Sequence, residues 1–124
     1  MKVPACLLTL VPAAILALAL VAILPGLAAA GGGLPGNVAR VLPRGTDAVI
    51  ERSTWEVPRI FSEIQRLGEI DGAEMARVFN LGIGMVLAVP EADAFRALDL
   101  LRSYGHQARI VGRVQTGDRR VQLV

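Results

Sequence analysis

The residues best suited to chemistry in this chain are glycines. The stretch GGGLPGN, residues 31–37, sets three glycines ahead of a proline, a fourth glycine and an asparagine. Glycine lets a backbone approach an anion closely. The N–H groups of a helix start, aided by the helix dipole, then bind phosphate. Gly31, Gly32 and Gly33, the side-chain amide of Asn37, and Arg40 one turn further on form a candidate phosphate-binding loop. It is not a Walker A loop, because no Gly-Lys-Ser/Thr follows. The plainer reading is a flexible linker or the tail of an export signal. A second glycine pair, Gly82 and Gly84, lies in FNLGIGMVLAV, residues 79–89. A third glycine is missing, and the order is helix to strand, the reverse of a dinucleotide fingerprint, so a Rossmann loop is rejected. These glycines read as a tight entry into a central strand. Asn80 is the polar exception there and could point into a cleft, with Gly82 beside it.

Other side chains offer less. His106 is the single histidine, past a helix end, with no partners for a metal site or a triad. Trp55 reads as a lid over the core rather than a ligand platform. Arg113, Arg119 and Arg120 read as a solvated hairpin face. Asp71, Glu74, Asp93 and Asp99 read as caps or exposed helix faces, and no carboxylate pair is isolated enough for general acid–base work.

The elements that would position these residues follow from periodicity. Residues 35–42 read as a helix start with Pro35 in the first turn and Val38, Val41 and Leu42 inward. DAVIER, residues 47–52, reads as a strand. PRIFSEIQRLG, residues 58–68, is an amphipathic helix with Ile60, Phe61, Ile64 and Leu67 on one side and Gly68 as its C-terminal cap. Residues 71–79 make a shorter helix with Asp71 as N-cap. GMVLAV, residues 84–89, reads as a buried strand ended by Pro90. Glu91 and Asp93 open a helix that would bury Phe95, Leu98 and Leu101. ARIVGRVQ and RVQLV read as two strands joined by the TGD turn as a hairpin. This order predicts a two-layer α+β (or α/β) domain: a mixed sheet with helices packed on one face.

The 124 residues suggest a single domain of ordinary size. A net charge of +2 is too small to imply a nucleic-acid partner, and 4% aromatic residues are too few for base-stacking platforms, so no nucleic acid is expected. One cysteine, Cys6, leaves no internal disulfide and no cysteine-rich metal site. The 53% hydrophobic content is concentrated at one end, with no charge between Lys2 and Arg40. Residues 3–24 are long enough to span a bilayer. With Lys2 in front and Ala28 and Ala30 before Gly31, they outline a signal peptide or membrane anchor. The alternative is a buried alanine-rich helix over residues 13–24, ended by Pro25-Gly26. Residues 1–30 are accordingly expected to be an apolar segment of their own, and residues 31–124 the domain.

Together these stretches resemble the C-terminal domain of the phosphoribosylformylglycinamidine cyclo-ligases, also called aminoimidazole ribonucleotide synthetases. The resemblance rests on the triple glycine with Leu34, Asn37, Arg40 and Leu42-Pro43. It continues through Trp55 with Val57-Pro58, Ile60-Phe61, Met75, Phe79-Asn80, Gly82-Ile83-Gly84-Met85, Pro90 and the strand ending IVGRV. It covers residues 31–124. It implies ATP-dependent ring closure of formylglycinamidine ribonucleotide to aminoimidazole ribonucleotide in purine biosynthesis, with ATP and Mg²⁺ as cofactors. It further implies a cytoplasmic homodimer. Gly31, Gly32, Gly33, Asn37, Arg40, Asn80 and Gly82 would serve the substrate or its phosphate, and no metal ligand is expected among these residues. The chain departs from the family in two ways. Ala28, Ala29 and Ala30 stand where the family has a polar His-Ile-Thr-like tripeptide, and the ATP-binding N-terminal domain is missing. The resulting expectation is a fragment, inactive alone, that begins inside a longer gene or whose start a frame change has rewritten. Two other readings stand beside it. One is a related domain of a selenophosphate synthetase, thiamine-monophosphate kinase or hydrogenase maturation factor. The other is an exported or membrane-anchored binding module carried by residues 3–30.

Overall fold

A computed structural model describes residues 18–24 and 31–124. The chain forms β1 (Leu18–Leu24), α1 (Gly33–Val41), β2 (Thr46–Ile50), α2 (Arg59–Gly68), α3 (Gly72–Val78), β3 (Met85–Pro90), α4 (Ala94–Ser103), β4 (Gln107–Thr116) and β5 (Val121–Leu123). The strands make one mixed sheet in the order β3-β1-β4-β2-β5. The expected α+β domain with a mixed sheet is what the chain adopts.

The apolar run near the N-terminus is the first correction. Leu18–Leu24 is a strand, not a helix, and it lies inside the sheet, antiparallel to both β3 and β4. An uninterrupted apolar run suits a strand with neighbours on both edges as well as it suits a buried helix, so periodicity could not separate the two. The expected domain start at Gly31 therefore leaves out a strand of the sheet. The remainder of the expected helix, residues 13–17, and the alanines at 28–30 lie outside the described residues. Among the described residues no helix is long and apolar enough to cross a membrane.

The second correction concerns the C-terminal strands. They form no hairpin: β5 pairs in parallel with β2, which lies between β4 and β5. The TGD segment steps across the start of β2 instead of turning back. Asp47 holds that crossing, its Oδ1 accepting the N–H groups of Asp118 (2.7 Å) and Arg120 (2.8 Å).

Connectivity also places the helices. β1 and β2 run parallel with β4 between them and are joined through α1. β3 and β4 run parallel, opposite to the first pair, with β1 between them, and are joined through α4. Both connections move the same way across the sheet along strands of opposite direction. Right-handed crossovers then put α1 and α4 on opposite faces. The packing agrees: on β3, Val86 joins the main core, whereas Val89, an odd number of residues on, packs with Leu98 of α4. The layer of helices expected on one face is thus α1–α3, with α4 on the other.

The main core is built from Leu34 and Val38 of α1, Ala48 and Ile50 of β2, Phe61 of α2, Met75 of α3 and Val111 and Val114 of β4. Phe61 meets Phe79 edge-on at 5.7 Å. Trp55 is buried, as its reading as a lid requires. Other expected inward residues are exposed: Val41 on α1, Ile60 and Leu67 on α2, and Phe95 on α4. One or two buried apolar residues suffice to anchor such short helices: Leu34 and Val38 on α1, Phe61 on α2, Ala94 and Leu98 on α4. β3, expected to be buried and central, is an edge strand with an exposed Met85.

Candidate functional site

The triple glycine makes the turn into α1. Its residues hold φ of +144° (Gly31), +93° (Gly32) and +62° (Gly33), a region side chains rarely enter. Gly33 is pressed against the last turn of α3, where a Cβ would overlap the Ala76 carbonyl oxygen and come within 2.6 Å of the Arg77 carbonyl oxygen. The Gly31 N–H donates to the Val78 carbonyl at 3.1 Å, closing the same contact. The local sequence therefore needs glycine for two reasons, dihedral angle and space.

Asn37 returns to this turn from one helical turn on. Its Nδ2 donates to the carbonyls of Gly31 (3.3 Å) and Gly33 (2.7 Å). Both amide protons are thus engaged with the loop itself. Asn37 shapes the loop, and direct donation to an anion falls to other groups. The Arg40 guanidinium lies above Gly32, with a terminal nitrogen 3.4 Å from where a Gly32 Cβ would stand. Among the described residues it has no ion-pair partner. The first N–H groups of α1 have no acceptor within the helix, and the Arg40 guanidinium stands beside the Gly32 that precedes them.

Asn80 and Gly82 form a second cluster. Asn80 Oδ1 accepts the Gly82 N–H at 3.2 Å, and its carbonyl accepts the Ile83 N–H at 3.1 Å. Gly82, at φ +96°, lies flat on the Pro58 ring, where a Cβ would collide with the ring carbons. The Trp55 indole N–H donates to the Leu81 carbonyl at 3.0 Å in a buried bond. The Trp-x-Val-Pro and Phe-Asn-x-Gly segments are two halves of one joint. It reaches the glycine loop through the last turn of α3, Val78 being two residues before Asn80.

Between α1, α2, α3 and the end of β5 lies a groove of about 620 Å³. Gly32 lines it; Asn37, Arg40, Asn80 and Gly82 do not. Two arginines that residue patterns did not single out reach it, Arg52 and Arg77. Arg77 donates its Nε to Glu74 at 2.7 Å. That hydrogen bond holds the Glu74 carboxyl below, and Arg77 above, their ordinary values. The signal for Arg52 was its place three residues before Trp55, but a loop residue carries no periodicity to show where it points. His106 is exposed in its loop.

The arrangement suits a phosphate. Among the described residues no three His, Cys, Asp or Glu side chains gather.

Two comparisons bear on this geometry. The family described as "AIR synthase related protein, C-terminal domain" matches residues 15–124. A protein of Thermodesulfovibrio yellowstonii named phosphoribosylformylglycinamidine cyclo-ligase is 39% identical over 87 residues, covering 70% of this chain and 25% of that protein. The chain spans about a quarter of the length of this relative.

Proposed function

Because the chain belongs to the AIR synthase related proteins, as their C-terminal domain, we propose that it is the C-terminal part of a phosphoribosylformylglycinamidine cyclo-ligase of purine biosynthesis. The observation that carries this reading is the glycine loop opening α1 with the Arg40 guanidinium above it. In the proposed reaction the formamide oxygen of formylglycinamidine ribonucleotide is phosphorylated by ATP. A nitrogen of the same molecule attacks the activated carbon, and phosphate leaves. Such chemistry depends on positioning and charge stabilisation. The backbone N–H groups at Gly32–Leu34 would hold the substrate phosphate or the departing one, Arg40 would balance its charge, and Asn37 would keep the loop open. Asn80 and Gly82 would act from behind, by fixing the segment that follows α3. ATP and Mg²⁺ would be held by the remainder of the longer protein, a cytoplasmic homodimer, so this chain alone should not turn over ATP.

The test is a titration of the chain with formylglycinamidine ribonucleotide followed by backbone amide NMR. We expect saturable shifts at Gly32, Gly33 and Leu34, weakened about tenfold by Arg40→Ala, the worth of one charge-assisted hydrogen bond. A titration that leaves those three amides unmoved overturns the assignment.

A further inference from the structure

The groove beside the glycine loop has a chemistry of its own. Its floor is apolar, formed by Phe61, Met75, Leu81 and Leu123, and no aspartate or glutamate side chain lines it. Of its two arginines, Arg77 is tied to Glu74. Arg52 is different: its guanidinium makes no ion pair or hydrogen bond among the described residues and rests over the Trp55 ring, 5.0 Å from the centroid. Stacking on an aromatic face positions an arginine without neutralising it. Both ends of this support are fixed, since Trp55 is bonded to the Leu81 carbonyl and the Arg52 backbone N–H donates to a carboxylate oxygen of the terminal residue Val124 at 2.7 Å, leaving the guanidinium edges unbonded. Partial burial lowers the Arg52 pKa from its ordinary value.

We propose that this groove binds a small organic anion, with a ring-sized apolar body on the Phe61–Leu123 floor and a carboxylate or phosphate paired with Arg52. A volume of about 620 Å³ is within the usual range for small-molecule sites. A planar guanidinium with free N–H edges can take either head group in a bidentate pair. The groove adjoins the glycine loop, sharing Gly32 with it, but Arg40 and Asn37 do not line it, and the role given to Arg52 does not depend on the cyclo-ligase assignment.

The probes are 2-naphthoate, 2-naphthyl phosphate and the neutral 2-naphthamide, titrated into the full chain with amide NMR detection. We expect at least one of the two anions to saturate with shifts at Phe61, Met75 and Leu123, and the tighter of them identifies the head group. Naphthamide should bind about tenfold more weakly, Arg52→Gln should lose a similar factor, and Arg52→Lys should fall between. Should Arg52→Gln fail to fold, judged by its spectral dispersion, the anion-to-amide ratio on the native chain and the Arg52→Lys affinity still decide. Naphthamide binding as tightly as the tighter of the two anions, unchanged binding in Arg52→Lys and Arg52→Gln, or shifts confined to exposed Phe95 and Tyr104 on α4 would each overturn the proposal.

Discussion

Asn37 and Arg40 sit one turn of helix apart or less and do opposite things. Asn37 is tied into the protein through the Gly31 and Gly33 carbonyls, whereas Arg40 reaches over Gly32 with no partner of its own among the described residues. Their substitutions should therefore separate stability from binding. Asn37→Ala removes both loop bonds and should cost about 1 kcal/mol in urea unfolding. Arg40→Ala should change stability by no more than about 0.5 kcal/mol, as for other exposed surface positions, while weakening phosphate binding. If Arg40→Ala proved the more destabilising of the two, the division of roles would be wrong. Asn80 was expected to point into a cleft. Its side-chain oxygen instead accepts from the Gly82 backbone, and that inward use was hidden in the sequence because an Asx turn and a ligand contact demand the same residue type.

At the scale of elements, the joint between the Trp55–Pro58 segment and the entry to β3 sets where α3 ends, and so where the glycine loop finds its support. Trp55→Phe keeps the ring but strands the buried Leu81 carbonyl, a loss of about 1–3 kcal/mol. Gly82→Ala adds a positive-φ penalty to a collision with Pro58 and should cost more. Because both act on one contact, the double variant should lose less than the sum of the singles. Denaturant midpoints of the four proteins check this, and strict additivity would show that the two segments do not act as one joint. The helices themselves were readable from periodicity and, for α3, from its cap, Asp71 accepting the Glu74 N–H at 2.8 Å; α2 ends one residue later than expected, with Glu69 rather than Gly68 as its left-handed cap. Their exposed apolar residues were not, since helical spacing says which side chains share a face but not how wide a face the core will cover.

For the whole molecule, β1 is the decisive element. It separates β3 from β4, bonding both, and α4 packs across the same three strands. A chain that begins at Gly31 would lose this strand and leave the facing edges of β3 and β4 unpaired. We expect it to lack a cooperative unfolding transition by circular dichroism and to elute as aggregates in gel filtration. A monomeric, cooperatively folding 31–124 chain would show that the first strand is dispensable.

By itself the sequence determined the helices α2, α3 and α4, the glycine turn into α1, and an ordered set of motifs matching one family. Each of these depends on local rules: caps, spacing, and the freedom of glycine at positive φ. Only the tertiary structure decided that residues 18–24 form a strand, that β5 lies beside β2, and that α4 faces away from the other helices. An apolar run has no period to tell strand from helix. A strand's neighbour is chosen by hydrogen bonds to residues far away in the chain, as when Asp47 receives Asp118 and Arg120. The face taken by a crossover helix follows from strand direction and handedness, which exist only once the sheet is assembled. The same applies to Arg52: its place in the chain was visible, but the groove it overlooks is made by α1, α2, α3 and β5 together.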